Sequence, residues 1–184
     1  MSKYDILKSI INQGKNIVVF TGAGISVPSG IPDFRSSEGL YNQKTKTGYP
    51  PEEIISHHFY LEHPLEFFEF YKNKMCYKDA KPNIAHTYFA ELEKKGKNVT
   101  VVTQNIDGLH QLAGSKRVYE LHGSIHRNYC ERCNKSYSLE QILGKAGVPC
   151  CDKCGGIIKP DVVLYEEGLD EMTINLSLSA IMNA

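Results

Sequence analysis

The sequence has no net charge, no long apolar run and no internal repeat or low-complexity segment. Lys and Arg number 21 and Asp and Glu number 21, so no overall field gathers nucleic acid or an anionic membrane, and we expect direct binding to neither. The apolar runs, such as residues 17–20, are far too short to span a bilayer. The N-terminus lacks the apolar stretch and cleavage site of a signal peptide. We therefore expect a soluble cytoplasmic protein.

The remaining composition is that of an ordinary globular protein. Hydrophobic residues make up 41% and charged residues 23% of the 184 residues, which argues against a disordered chain and permits a real core. This length predicts one domain with an additional small module.

The order of the apolar segments predicts an α/β fold. A helix over 2–13, capped by Ser2, precedes the β-branched run 17–20, which leads directly into a glycine loop. Because this run shows no polar alternation, we predict a strand buried on both faces, as in a parallel sheet. Three further buried strands are predicted at 99–103, 117–121 and 162–164.

Two more helices and a helical insertion complete the predicted elements. Residues 82–95 show a helical stripe of Ile84, Ala85, Tyr88, Phe89 and Leu92, and residues 169–184 read as another helix. Prolines divide the aromatic-rich stretch 36–80 into short helices. We interpret these aromatic side chains as core rather than as a ligand site.

Six cysteines include four with the spacing of a metal site. The pattern is Cys130-x2-Cys133-x17-Cys151-x2-Cys154, which matches tetrahedral four-cysteine zinc sites. Two disulfides or free thiols are the alternative, but disulfides conflict with a cytoplasmic location. Cys150 could replace Cys151, with a changed spacing to Cys154. Four cysteine ligands leave no open position on the ion, so we expect a structural zinc.

The glycine loop by itself leaves two interpretations open. Gly22-x-Gly24 follows a strand, as a dinucleotide site requires, but Val27 occupies the third glycine position. A tight turn without a ligand fits these glycines equally well. Polar Gln104, Asn105 and Asp107 follow the second predicted strand, where open α/β sheets bind ligands, although a helix cap would use the same residue types.

Seven histidines compete for a catalytic role. Those in helical segments are expected to be structural, and His110 leads into a helix. His122 lies at a strand end before a glycine, where a neutral imidazole can act as a base near pH 7. The histidines assigned to helical segments are His57, His58, His63 and His86.

Four segments, in order, closely resemble the signature motifs of the sirtuins, which are NAD-dependent protein lysine deacylases, and the chain is similar to their bacterial type. The segments are 22–35 (GAGISVPSGIPDFR), 103–110 (TQNIDGLH), 121–123 (LHG) and 159–167 (KPDVVLYEE). The zinc cysteines lie between the third and the fourth, as in that family.

The resemblance implies a fold and its division into domains. A Rossmann-like α/β domain with a parallel sheet would comprise 1–35, 81–126 and 159–184, with a helical insertion at 36–80 and a zinc-binding module at 127–158. Sirtuins continue with further strands that hold the adenosine half of NAD. The C-terminal strands are therefore expected to be missing here, and a purified 1–184 chain to be unstable or poorly active.

The resemblance also implies the residues that bind NAD and substrate. Phe34 would shield the nicotinamide ribose, Ile106 and Asp107 would hold the carboxamide, and Asn105 would orient the ribose or a water. Val163 and Tyr165 would pair with the peptide backbone as an added strand. The implied NAD contacts are Gly22, Ala23, Gly24, Val27, Asp33, Phe34, Arg35, Gln104, Asn105, Ile106, Asp107 and His122.

The implied activity is deacetylation of lysine in a protein or peptide, with NAD consumed as a co-substrate. The acyl oxygen would attack the anomeric carbon and release nicotinamide. His122 would then take a ribose hydroxyl proton, giving free lysine and O-acyl-ADP-ribose, with Asn105 as the second catalytic residue. The alternatives are mono-ADP-ribosyl transfer from the same NAD site, and a non-catalytic zinc-containing fragment or binding module.

Two residues depart from the family pattern. Glu166 replaces the glycine usual in the fourth segment, so we hypothesise a preference for basic residues flanking the acyl-lysine. Tyr71-x-x-Lys74 is similar to the Tyr-x-x-Arg pair of sirtuins that remove succinyl or malonyl groups. Because lysine lacks the bidentate fork of arginine, we favour a packed tyrosine and a solvated lysine.

Overall fold

Three parallel strands form the first sheet of the computed structural model, which describes residues 2–45 and 48–184. They are β1 (Asn16–Thr21), β2 (Asn98–Thr103) and β3 (Val118–Glu120), in the order β1-β2-β3. Ile17 lies beside Val99 and Phe20 beside Val102 in the register of β1 and β2. The predicted strands at 17–20, 99–103 and 117–121 are thereby confirmed.

The prediction that β1 is buried on both faces is wrong. Phe20 is 57% exposed, whereas β2 is buried from Val99 to Thr103. Among the described residues β1 pairs only with β2, so β1 is an edge strand of this sheet.

Four helices accompany this sheet in the chain. Ser2 caps the first helix in a capping box with Asp5, as its N-terminal sequence predicts. Among the described residues, no helix is long and apolar enough to cross a membrane. The helices are α1 (Lys3–Gln13), α5 (Ile84–Lys94), α6 (Leu109–Ala113) and α8 (Glu171–Met182).

The apolar stripe predicted for α5 differs from its buried face, and α1 buries none of its residues. All of Ile6, Leu7 and Ile10 are exposed on α1. On α5 the buried side chains are His86, Ala90 and Leu92, while Ile84 is 86% exposed. The apolar stripe misplaced the buried face of α5 because it left out a histidine, which here packs edge-to-face against His110.

The insertion consists of short helices, as predicted. They are α2 (Pro51–Ile54), α3 (His57–Glu62) and α4 (Pro64–Phe70), and a single π-helical turn, Tyr71–Met75, extends α4. Its aromatic side chains do form core, and those fully buried are Phe59, Tyr60, Phe67, Phe68 and Tyr71.

A second, antiparallel sheet carries the cysteines. It contains β4 (Gly123–Cys130), β5 (Ser136–Tyr137) and β6 (Ile158–Val162) in the order β5-β4-β6, with helix α7 (Leu139–Leu143) beside it. The strand predicted at 162–164 is therefore misplaced, because β6 pairs with β4 and not with the parallel sheet. The zinc-binding module was predicted to span 127–158, whereas the second sheet extends from Gly123 to Val162. The domain boundaries themselves stay a prediction.

The main hydrophobic core lies between the insertion and the second sheet. Phe67 and Phe68 of α4 belong to one buried cluster with Ile125 of β4 and Ile158 of β6. The insertion and the zinc-binding module therefore share a core, although they are separate in sequence.

Gly123 offers a test of how tightly β4 and β6 approach each other. Its φ is +75°, and a Cβ there would overlap the carbonyl oxygen of Asp161. We expect Gly123→Ala to lower the free energy of unfolding by about 3 kcal/mol or more, since strain and overpacking add.

Gly96→Ala is the matched control, because Gly96 has a φ of +88° and a Cβ there meets no atom within 4 Å. It should lose only about 1 kcal/mol in urea unfolding. Equal losses in the two variants would contradict the close approach.

Candidate functional site

The glycine loop leaves β1 and turns into a 3-10 helix, Ala23–Ser29. A Cβ built on Gly24 meets no atom within 4 Å, and one on Gly22 meets only the Gln104 side chain, at 3.9 Å. Packing within the protein therefore does not require glycine at these positions. The open space above them admits a ligand close to the backbone.

A buried serine joins this loop to the end of β2. Ser26 Oγ donates to Asp107 Oδ2 at 2.6 Å and lies 3.1 Å from Asn105 Nδ2, which also donates to the Gly22 carbonyl oxygen. Asp107 Oδ1 accepts from the Leu109 N–H at 2.9 Å. Asn105 and Asp107, both predicted to contact NAD, are thus held by one hydroxyl. Sequence reasoning had not singled out Ser26, although it lies within the motif.

These side chains face a cavity of about 570 Å³. Most of the predicted site residues line it, which brings together all four sequence segments. Gly22, Gly24 and Val27 do not line it. The predicted residues that do are Ala23, Asp33, Phe34, Arg35, Gln104, Asn105, Ile106, Asp107, His122, Val163 and Tyr165.

The backbone on both sides of His122 is held by hydrogen bonds. The Leu121 N–H donates to the Thr103 carbonyl oxygen at 2.8 Å, and the Val163 N–H donates to the His122 carbonyl oxygen at 3.0 Å. His122 therefore lies where the parallel sheet meets the second sheet, with its side chain at the cavity.

An arginine bridges the strands around His122. Arg127 binds Glu120 of β3 and Asp161 of β6, each at 2.6 Å. Because Glu120 is almost completely buried, this pair is less open to solvent screening than most surface ion pairs. It joins all three strands that meet at His122.

Val163 and Tyr165 use their backbone groups within the protein. The Tyr165 N–H donates to the Ile55 carbonyl oxygen, and its own carbonyl oxygen accepts from the His57 N–H, both at 3.0 Å. With the Val163 N–H bound to His122, the predicted strand pairing with a peptide cannot use these two N–H groups while the bonds persist, whereas the Tyr165 carbonyl oxygen can accept a second hydrogen bond. Both residues line the cavity.

Tyrosines close one side of the cavity. The Tyr41 hydroxyl hydrogen-bonds to that of Tyr165, and the Tyr41 ring packs edge-to-face on Phe34, with centroids 5.4 Å apart. Burial is the main cause that raises the pKa of Tyr41, so this hydroxyl stays protonated. Sequence reasoning did not find Tyr41, because its relation to Tyr165 is purely tertiary.

The Tyr71 and Lys74 pair is separated by the fold. Tyr71 is fully buried and stacks on Phe67, as expected for a packed tyrosine. Lys74 differs from the expected solvated side chain, since it lines the cavity and donates to Gln43 Oε1 at 2.9 Å.

Two buried histidines lie behind the polar cluster. His110 hydrogen-bonds to Thr21 Oγ1 at 3.1 Å and packs on His86 with ring centroids 4.8 Å apart. Burial, and then His86, lowers the pKa of His110 to about 4, against the opposing effect of Asp107. His110 is therefore neutral at physiological pH.

The cysteines form a cluster at the other end of the β4–β6 pair. The sulfur atoms of Cys130, Cys133, Cys151 and Cys154 all lie within 4.8 Å of one another. Cys130 and Cys154 are 3.4 Å apart, and Cys133 and Cys151 are 3.6 Å apart. Zn–S bonds of about 2.3 Å place tetrahedral sulfur atoms about 3.8 Å apart, so the cluster fits zinc.

Two similar turns present these thiols. The Asn134 N–H donates to the Cys130 carbonyl oxygen, and the Gly155 N–H donates to that of Cys151. Asn134 and Gly155 both have a positive φ. Cys150 is exposed and turned to the Val148 carbonyl oxygen, which resolves the ambiguity in favour of Cys151.

Comparison with known proteins decides the family. The profile described as Sir2 family matches residues 22–183. The chain belongs to the Sir2 family. The predicted family and its α/β fold with a four-cysteine module are thereby confirmed.

Relatives within the Sir2 family are similar over nearly the whole chain. The NAD-dependent protein deacetylase of Clostridium acetobutylicum is 58% identical over 100% of this chain and 76% of its own length. That of Staphylococcus aureus is 46% identical over 98% of this chain and 74% of its own.

Solved Sir2 structures show the same fold. One, with a deacetylated peptide and 3'-O-acetyl ADP-ribose, has a TM-score of 0.86 at 39% identity and covers 97% of this chain and 72% of its own. Another, with a peptide and NAD+, has a TM-score of 0.80 at 41% identity and covers 98% and 71%.

The metal centre of this Sir2 chain can be tested by exchanging adjacent cysteines. Cys151→Ser removes a ligand, so we expect zinc content to fall well below one ion per chain and the melting temperature to drop, because zinc binding is coupled to folding. Zinc content is measured by atomic absorption and unfolding by circular dichroism.

Cys150→Ser is the matched control and should keep both properties, because the Cys150 side chain faces away from the cluster. Loss of zinc in Cys150→Ser with retention in Cys151→Ser would contradict the assignment.

Proposed function

We propose that this chain is a cytoplasmic NAD-dependent protein lysine deacetylase, which transfers the acetyl group of lysine to ADP-ribose and releases nicotinamide. The observation that carries the proposal is the convergence of Asn105, Asp107 and His122 on one cavity with Val163 and Tyr165. Relatives up to 58% identical are named NAD-dependent protein deacetylases, which supports the same reaction here.

The cavity residues would divide the binding of NAD between them. Asp107 and Ile106 would hold the nicotinamide carboxamide, with Asp107 fixed by its bonds from Ser26 and Leu109. Phe34, braced by Tyr41, would cover the ribose and exclude water. The glycine loop would leave room for the pyrophosphate.

NAD supplies an anomeric carbon that accepts the acyl oxygen and nicotinamide as the leaving group. Asn105 is held by the Gly22 carbonyl oxygen and Ser26, so its amide can orient a ribose hydroxyl or a water. Val163 and Tyr165 would line the path of the acyl-lysine with their side chains.

His122 would act as the general base after nicotinamide has left. Its imidazole would take a proton from a ribose hydroxyl, which lets that oxygen attack the acyl carbon. The fixed backbone on both sides of His122 leaves only its side-chain torsions to adjust. The presence of this base in the same cavity favours deacetylation over ADP-ribosyl transfer or a non-catalytic binding module.

The zinc ion would take no part in these steps. All four of its ligands would be cysteines, Cys130, Cys133, Cys151 and Cys154, which leaves no position for substrate or water. Its role would be to hold the ends of β4 and β6.

Substitution of His122 tests the proposal. We expect the purified protein to deacetylate an acetyl-lysine peptide with NAD at a low but measurable rate, in line with the poor activity expected from the sequence. His122→Ala should lose at least about 100-fold in this rate, detected by mass spectrometry, as for removal of a general base. Exchange of labelled nicotinamide into NAD should persist in His122→Ala, because it precedes the step that needs the base.

His63→Ala is the control, because His63 packs on Phe59 and does not line the cavity. Its rate should stay within twofold. Full activity in His122→Ala, or neither activity in the parent protein, would contradict the proposal.

A further inference from the structure

Glu166 adopts a backbone conformation that disfavours its side chain. Its φ is +76°, in the left-handed region that costs a non-glycine residue about 1 kcal/mol. The family motif usually has glycine at this position. Since glycine would remove this cost, the glutamate side chain is expected to offer a compensating interaction.

The carboxylate of Glu166 binds the start of helix α3. Glu166 Oε2 accepts from the His58 N–H at 3.1 Å, and Oε1 lies 2.8 Å from His58 Nδ1. An N–H in the first turn of a helix has no partner within the helix, and a negative charge is favourable there. The hydrogen bonds from His58 hold the pKa of Glu166 below its ordinary value.

The next residue makes a parallel connection. Glu167 Oε1 lies 2.8 Å from His57 Nδ1, and Oε2 accepts from Lys159 and from the Leu164 N–H. Two successive glutamates therefore bind two successive histidines. Glu167 is also tied to its own segment, whereas both oxygens of Glu166 are directed at α3.

Between these side-chain contacts lies the backbone pairing of Tyr165. It exchanges hydrogen bonds with Ile55 and His57 at the entrance to α3. The two bonds hold one wall of the cavity, including Val163 and Tyr165, against the insertion. Glu166 follows Tyr165 directly. Its hydrogen bonds to His58 therefore hold this wall of the cavity against α3.

We propose that Glu166 is a positioning residue for the acyl-lysine substrate: by clipping residues 163–167 to the N-terminus of α3, it holds Val163 and Tyr165 in the conformation that receives the substrate. This inference rests on the proposed deacetylase function. Both oxygens of Glu166 face His58, although its side chain is about half exposed and the residue lines the cavity. The proposed effect acts through the shape of the cavity and is separate from the preference for basic flanking residues hypothesised from its charge.

Amide hydrogen exchange tests the clip without requiring activity. In Glu166→Gly, exchange of the Tyr165 and His57 amides should accelerate about fivefold or more by NMR, which corresponds to the loss of about 1 kcal/mol of local stability. Glycine removes the strain at this position but adds backbone freedom, which also speeds exchange. Glu166→Ala, which keeps the Cβ and loses the carboxylate, should therefore show the same acceleration. Glu91→Gln is the control, because Glu91 lies on the exposed side of α5. It should leave the exchange rates of the Tyr165 and His57 amides unchanged.

Steady-state kinetics tests the consequence for substrate. Glu166→Gly should raise the KM for the acetyl-lysine peptide about fivefold and leave kcat and the KM for NAD within twofold. Glu166→Gln keeps an acceptor for the His58 N–H, so its peptide KM should lie between that of the parent protein and that of Glu166→Gly. His58→Gln should raise the peptide KM similarly, and the double variant should not add the two effects.

Unchanged exchange of the Tyr165 and His57 amides in Glu166→Gly would overturn the proposal that Glu166 holds residues 163–167 against α3. Faster exchange with an unchanged peptide KM overturns the positioning role, and so does an additive double variant. A parent protein that neither turns over nor exchanges nicotinamide contradicts the proposed function, while amide exchange still decides whether the clip exists.

Discussion

The close approach of Gly123 to the Asp161 carbonyl oxygen determines how the two halves of the molecule meet. Only a residue without a Cβ lets β4 and β6 lie together at this point. His122 immediately precedes this contact, and its carbonyl oxygen accepts from Val163 immediately beyond β6. The candidate base and the wall of the substrate cavity are therefore held by one piece of backbone pairing. The other interactions of the site, such as those of Ser26 and Glu166, refine an arrangement that this pairing establishes.

The metal centre contributes to the same arrangement from the opposite end of the strands. Cys130 is the last residue of β4, and the Ile158 N–H at the start of β6 donates to Pro149, next to the second cysteine pair. Gly123 lies at one end of the β4–β6 pair. A zinc ion bound to Cys130, Cys133, Cys151 and Cys154 would hold the two strands together at the other end. A structural metal can in this way support chemistry in which it takes no part.

Local sequence predicted the parts that depend on local chemistry. A few neighbouring residues were enough to predict the metal ligands Cys130 and Cys133, the helix cap at Ser2 and the strand β2. The partner of β6, the exposure of Phe20 and the bridge from Tyr41 to Tyr165 depend on residues that are distant in the sequence, such as Cys130 beside Ile158 and Tyr41 beside Tyr165. No local periodicity predicts such contacts. The resemblance predicted that Val163 and Tyr165 contact the substrate. Only the fold shows that their N–H groups donate to the carbonyl oxygens of His122 and Ile55.

The measurement that tests this account most directly is amide hydrogen exchange of the zinc-loaded protein before and after removal of zinc by a chelator. If the β4–β6 pair positions His122, the Val163 amide, which donates to His122, should lose protection when zinc is removed, and the amides of β2 should keep theirs. Unchanged protection of Val163 in the zinc-free protein would contradict the claim that the metal-held pair positions the catalytic site.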